Sequence, residues 1–230
     1  MAVKRYMPLA ALVIWSAILA WLIMDGNYQL FLTPSFKGLI LTSLVIAPAL
    51  AAGLVFTGLP RQNLSWLKGL ILILPVGFIL MAGDNTLGEY ALRKRGLAPP
   101  DLGGTESTPA DPSDVTDADG NISISQLVMQ FERFEGQQVQ IEGLFADRVA
   151  EHDELSAVYR YLITCCAADA QPVGVFMDHN PELDLKNNDW VRVSGRVNQK
   201  TLDGYQVIFM AVDEIKGVEK PDKNAAYIFN

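Results

Sequence analysis

Apolar and polar positions divide the chain into two unlike parts. No charged residue interrupts the sequence from Tyr6 to Met24, or again from Gly38 to Pro60. A third apolar stretch runs from about 64 to 83, with Lys68 near its start. A helix crosses the hydrocarbon core with roughly 20 apolar residues, in a range of about 17–25. The pattern therefore predicts a transmembrane region over 1–83, with three spans at about 7–24, 38–59 and 64–83. Lys68 lies one turn from the end of the third, where its ammonium can snorkel to the headgroups beside Trp66. Pro75 would kink that helix, which membranes tolerate. The bulky "LAWLIMDG" after residue 18 favours a first transmembrane helix over a cleaved signal peptide.

Residues 84–121 read as a linker. "GLAPPDLGGTESTPADPSDVTDADGN", Gly96 to Asn121, has four Pro, four Gly and six acids and little apolar surface to bury, so ordering it would not be repaid. "DADGNIS" imitates part of a calcium loop, but Val115 and Gln126 stand where the first and twelfth ligands belong. It reads as an acidic turn.

The period then becomes helical. In "ISISQLVMQFERF", Leu127, Val128, Phe131 and Phe134 form one stripe. Ser123 and Gln126 have the spacing of a capping box, and Ile122 that of a staple onto Leu127. After "EGQQ" the period is two. Val139, Ile141, Gly143 and Phe145 alternate with Gln138, Gln140 and Glu142. Further strands are expected at Tyr159–Cys165, Val173–Met177 and Trp190–Val197. The last, residues 205–215, is apolar on both faces at its middle. Glycines in "IEGLF" and "VSGRV" mark strand bends. The expected fold of 122–230 is a soluble, all-β, OB-like five-stranded barrel with one capping helix, attached to the helical membrane region.

Charge follows the same division. Residues 1–83 hold five Lys/Arg against one acid; residues 84–230 hold 13 against 25, and the chain carries a formal −8. Lys4, Arg5 and Arg61 would share one side of a three-span anchor. The positive-inside rule then places the N-terminus in the cytoplasm of a cell with the protein in its (inner) membrane, and the C-terminal domain outside. Arg93, Lys94 and Arg95 act against this orientation, but earlier segments usually dominate. The acidic β domain excludes a nucleic-acid partner despite Tyr159, Tyr161, Phe176 and Trp190, because phosphates need a basic face. No hydrolase, P-loop or dinucleotide fingerprint is present, so no enzyme is expected.

Cys165 and Cys166, in "TCCAADA", are the chain's two cysteines. A disulfide between neighbours would be strained. In strand conformation their side chains point to opposite faces and cannot share one ion. A tight turn would bring them together, with Asp169, His152 or His179 to complete a site. Small apolar residues at a strand end, metal or thiol chemistry, and a vicinal disulfide all remain open readings.

The strings "YLITCCAADAQPVGVFM", "LDLKNNDWVRVSGRV" and "KPDKNAAYIF" resemble the YcgQ-like family of permease subunits. The match covers about 120–230 and falls on Cys166, Ala168, Asp169, Ala170, Gly174, Asp189, Trp190, Gly195, Pro221 and Tyr227. The resemblance implies an accessory, non-catalytic subunit beside a separate multi-span permease in the lipid bilayer, with a link to transition-metal, particularly zinc, homeostasis. Some relatives carry a His-rich insertion between the second and third spans; here that turn is "LPRQNLS". Any metal role then falls to the barrel or the partner. Cys165, Cys166, Asp169, Gly174 and Trp190 are the expected ligand- or partner-facing residues, and Cys166, Asp169 and His179 the candidates for a divalent transition metal, no cofactor being required. The alternative is a membrane-anchored ligand-binding or sensor module of the envelope without a transport role.

Overall fold

The computed structural model of the chain describes residues 2–57, 121–149, 154–180, 184–222 and 224–229, with isolated positions between 71 and 97. The chain separates into two units, Met1–Asp84 and Asn85–Asn230.

In the first unit, α1 (Ala2–Met24) and α2 (Lys37–Thr57) are joined by 3-10 turns at Asn27–Leu30 and Pro34–Phe36. Leu22, Tyr28 and Ile40 bury a small cluster at this connection. Pro34–Thr57 has 24 residues and a mean hydropathy of 2.4, and it is the one helix among the described residues long and apolar enough to cross a membrane. The apolar part of α1, Leu9–Met24, is shorter. Leu39, Val45, Leu50, Val55 and Phe56 stand exposed on α2, a surface that calls for an apolar solvent. The hydroxyls of Thr42, Ser43 and Thr57 donate to carbonyls four residues back, so none faces that solvent without an acceptor. Of the three expected spans, one is thus present as a candidate by length and apolar composition. The third, with Trp66 and Lys68, lies outside the described residues except for isolated positions such as Pro75; Arg61, the Arg93–Arg95 run, nearly all of the 84–121 linker and His152 lie outside them too.

The second unit holds α3 (Ile124–Met129), α4 (Phe131–Phe134) and six strands: β1 (Gln138–Ala146), β2 (Leu155–Ile163), β3 (Gln171–Asp178), β4 (Trp190–Leu202), β5 (Tyr205–Gly217) and β6 (Tyr227–Phe229). The sheet order is β1-β4-β5-β3-β2-β6, with β1 also paired to β2. Five strands thus make a ring, but it closes unevenly. β4 and β5 pair over twelve positions, whereas parallel β3 and β5 meet at the single register pair Phe176↔Phe209. β1 pairs with Ala157–Tyr159 of β2, and β6 runs parallel to Tyr161–Ile163 along the same edge.

Two corrections to the expected fold follow. The strands number six rather than five, because the short C-terminal segment "YIF" adds to β2. The single capping helix is two short ones, since Gln130 leaves helical geometry at φ −121°, ψ 35°. Their stripe behaves as its period requires: Leu127, Val128, Phe131 and Phe134 are buried with Ile141, Val158, Val175, Val193 and Met210 in the inner core. The capping box does not form. The Ser123 hydroxyl lies 2.8 Å from that of Ser125 and makes no cap bond.

A second core covers the other side of the sheet. Leu144, Tyr159, Tyr161, Phe176, Trp190 and Phe209 are buried there, with Tyr227 and Phe229 packed against them. Tyr161 and Tyr159 meet edge to face at 5.2 Å between centroids. The Tyr161 hydroxyl donates to that of Tyr159, which donates to Asn188 Oδ1. Tyr159, Tyr161, Phe176 and Trp190 are thus all core residues.

Candidate functional site

β2 ends at Ile163 and β3 begins at Gln171. The chain between them turns tightly because one carboxylate gathers its backbone. Asp169 Oδ1 accepts the N–H of Thr164 at 3.1 Å, and Oδ2 accepts those of Cys165 at 2.7 Å and Cys166 at 3.3 Å. Ala167–Asp169 forms one 3-10 turn with Cys166 as its N-cap. The bonding there is reciprocal: the Asp169 N–H reaches the Cys166 side chain while the Asp169 carboxylate takes the Cys166 N–H. A thiol therefore stands where a serine hydroxyl stands in a capping box.

The turn settles how neighbouring cysteines are placed. Both thiols are free, Cys165 exposed and Cys166 half-buried. Their Sγ atoms lie 3.7 Å apart. One ligating atom from each of Cys165, Cys166 and Asp169 falls within 4.8 Å of the others. The opposite-face arrangement of an unbroken strand is absent, and so is burial of Cys165 as a small apolar residue.

Other expected residues are elsewhere. Gly174 is buried inside β3 rather than on the loop, opposite Tyr159. Trp190 begins β4 and is buried, its indole N–H donating to Glu142 Oε2 at 3.2 Å. Both are therefore strand residues rather than loop residues. His179 follows β3, and its Nδ1 lies 2.8 Å from Asp147 Oδ1 and 3.4 Å from the Ser156 hydroxyl. It is not among the three clustered ligand residues. A separate cleft of about 270 Å³ is lined by Met177, Asp178, His179, Val212, Asp213 and Glu214, on the unevenly closed side of the ring.

The electrostatics of the loop are set by Asp169. Burial acts to raise its carboxyl pKa. The Cys165 thiol and the N–H groups of Cys165, Cys166 and Thr164 outweigh this and hold it below its ordinary value. Cys165 moves the opposite way, from an ordinary 9.0 to about 11, chiefly because its S–H donates to Asp169 and then through its bond with Cys166. Asp169→Asn removes the largest of these causes, so the thiol should relax toward its ordinary value. At pH 8 the thiolate fraction would rise up to about 100-fold, offset about tenfold by the lower nucleophilicity of the less basic sulfur. Iodoacetamide should then alkylate Cys165 roughly tenfold faster, as read by mass mapping of the cysteine peptide. An equal or slower rate would remove the carboxylate from this account.

The residue that sequence reasoning missed is Glu142. A lone acid in a two-residue period resembles a solvated face, yet Glu142 is buried. Its Oε1 accepts from Arg192 Nε at 2.6 Å and from Asn121 Nδ2 at 3.3 Å. The available clue was Arg192, which also alternates outward on a neighbouring strand.

The family model described as the DUF1980 C-terminal domain matches residues 110–230. No curated protein matches the chain. No solved structure matches it either.

Proposed function

The chain belongs to the family of the DUF1980 C-terminal domain, and from that premise we propose that it is an accessory, non-catalytic subunit of a membrane permease. Its α-helical front anchors it in the (inner) membrane by three spans, with the N-terminus in the cytoplasm. Its OB-like β domain works outside the cytoplasm, docked on a multi-span partner, and the complex serves transition-metal homeostasis.

The observation that carries this reading is the separation of tasks between the two units. α2 has the length and hydropathy of a span, yet only 11 % of that window is buried within the structure. α1 and α2 are uncharged across their apolar segments, and a transport path through lipid needs polar groups facing a cavity. The helices thus suit anchoring, with conduction left to another protein. The β domain brings both of its thiols together with one carboxylate on the β2–β3 loop. The resemblance of that loop's sequence to permease subunits supports the same assignment.

Mild-detergent purification of the tagged full chain from native membranes should bring down a multi-span protein in fixed ratio. Recovery of the chain alone, under conditions that preserve other membrane complexes, would sink the permease reading and favour the envelope binding or sensor module. Protease protection in spheroplasts tests the orientation. The β domain should be cleaved from outside while the N-terminus stays protected.

A further inference from the structure

We propose that Cys165, Cys166 and Asp169 form a three-ligand site for a thiophilic d10 cation, Zn2+ foremost, with the fourth position left open for exchange. This deepens the permease reading and rests on it for the ion's destination, while the ligand set stands on its own geometry.

The first argument is the spacing of the sulfurs. Two thiolates on a tetrahedral ion, each about 2.3 Å from it, lie about 3.8 Å from one another. Cys165 Sγ and Cys166 Sγ are 3.7 Å apart before any ion enters. Adjacent residues rarely reach this spacing on one side, since extended backbone alternates its side chains. Here the strand has already ended at Ile163, Cys165 lies in a bend, and Cys166, at φ −154° and ψ 167°, caps the 3-10 turn that follows. The turn is held by three backbone bonds to Asp169 rather than by the metal.

The second argument is the accounting of acceptor sites on Asp169. A carboxylate offers about four lone-pair positions. Three take the N–H groups of Thr164, Cys165 and Cys166. One carboxylate oxygen of Asp169 lies within 4.8 Å of both sulfurs, so the remaining position is available to an ion shared with them. Binding replaces two S–H protons by one M2+ and releases both protons to solvent. No electron is transferred, and no co-reactant is needed.

The donor set decides the class of ion. Two thiolates select Zn2+, Cd2+ or Cu+ over Mg2+ and Ca2+, which require oxygen ligands. Three protein ligands suit exchange, whereas structural zinc sites close with four. The exposure of Cys165 lets an incoming thiolate or imidazole reach the open position, so the ion can pass on by ligand substitution.

The test uses the full chain in detergent, fully reduced. Co2+ should bind with one equivalent and produce a thiolate-to-cobalt charge-transfer band in the near ultraviolet. Zn2+ should bleach that band, and excess Mg2+ should not. Zn2+ binding in weak buffer at neutral pH should release close to two protons per ion. Cys165→Ser and Cys166→Ser should each abolish the band, Asp169→Asn should weaken binding at least tenfold, and His179→Ala should leave it unchanged. Circular dichroism separates loss of the site from loss of the fold, and the proton count on the unsubstituted chain is independent of any variant. Absence of a charge-transfer band, release of no protons, or full affinity in Cys166→Ser overturns the site. A permease that co-purifies with a chain binding no metal defeats this inference and leaves the functional reading intact. Metal binding by a chain with no permease partner does the reverse.

Discussion

Gly174→Ala should destabilise the β domain by about 3–5 kcal/mol, the largest loss expected from an added methyl group at any of the described glycines. A Cβ built on Gly174 would sit 2.2 Å from the Val158 carbonyl oxygen and 2.7 Å from Tyr159 Cα. Both are backbone atoms of the paired strand β2, so no rotamer change relieves the overlap. The sign is opposite to that for an ordinary strand, where replacing Gly by Ala gains about 0.5–1 kcal/mol. Overpacking typically costs about 1–3 kcal/mol when side chains can yield; here a strand must move. Domains of this size are stable by about 5–15 kcal/mol, so the variant should unfold at much lower urea concentration, monitored by circular dichroism of the full chain in micelles. Gly204→Ala is the control, because no atom lies within 4 Å of its built Cβ and the strain comes from φ +85° alone. It should cost about 1 kcal/mol. A Gly174→Ala protein as stable as the Gly204→Ala one would refute the close approach of β2 and β3. The same approach matters to the loop, since β2 and β3 are the two rails that hold Thr164–Ala170 between them.

This is also where sequence reading reached its limit. Gly174 belongs to the resembling string, where it reads as part of a ligand-facing loop. A string of letters does not distinguish a glycine needed for ligand access from one needed for strand contact. The bend glycines in "IEGLF" and "VSGRV" were legible because each interrupts a clear period of two. Gly143 and Gly195 indeed lie under atoms of the neighbouring strand, Tyr159 O and Ala211 O, within 3 Å of a built Cβ. The apolar stripe from Leu127 to Phe134 was legible for a similar reason, as local period and tertiary burial agree. β6 was not, because three residues carry no period and its pairing to β2 is fixed by the second core. That core was hidden by a two-faced strand. Ile208, Phe209 and Met210 are buried in succession, but sequence alone does not say what covers each face. The cysteine pair was half legible. The need for a turn follows from the alternation rule, and Asp169 stands at the position a reciprocal cap requires. The sulfur where a hydroxyl is usual concealed that pattern. The pairing of His179 with Asp147 and Ser156 had no local signal, since the three come from separate segments.

Arg192→Met should cost about 3 kcal/mol, and combining it with Glu142→Leu at the partner position should cost clearly less than the two single losses summed. Glu142 and Arg192 are register partners on β1 and β4, and Arg192 Nη2 lies 2.6 Å from Glu142 Oε1. The two ends differ in solvent access: the glutamate side chain is 8 % exposed and the arginine 35 %. Removing Arg192 strands a buried carboxylate with only Trp190 Nε1–H and Asn121 Nδ2 as donors shown to it. Breaking a buried pair from the side that leaves a charge costs about 3–5 kcal/mol, and the surviving donors place this case near the lower end. Removing Glu142 instead leaves a guanidinium that water already reaches, a small loss, but it also takes the acceptor from the buried Trp190 indole N–H and from Asn121 Nδ2, at about 1–3 kcal/mol. Replacing both by apolar side chains of similar volume eliminates the stranded charge, so the losses should not add. The pair also fixes where the chain enters the β domain, because Asn121 bonds Glu142 and accepts from Gln140 Nε2 at 2.9 Å. A loosened entry should therefore appear as faster amide exchange at Ile122, whose N–H donates to the Gln140 carbonyl at 2.7 Å. Chemical unfolding of the two single variants and the double decides the matter. Single costs that sum in the double would mean that the pair is solvated and that Glu142 does not depend on Arg192.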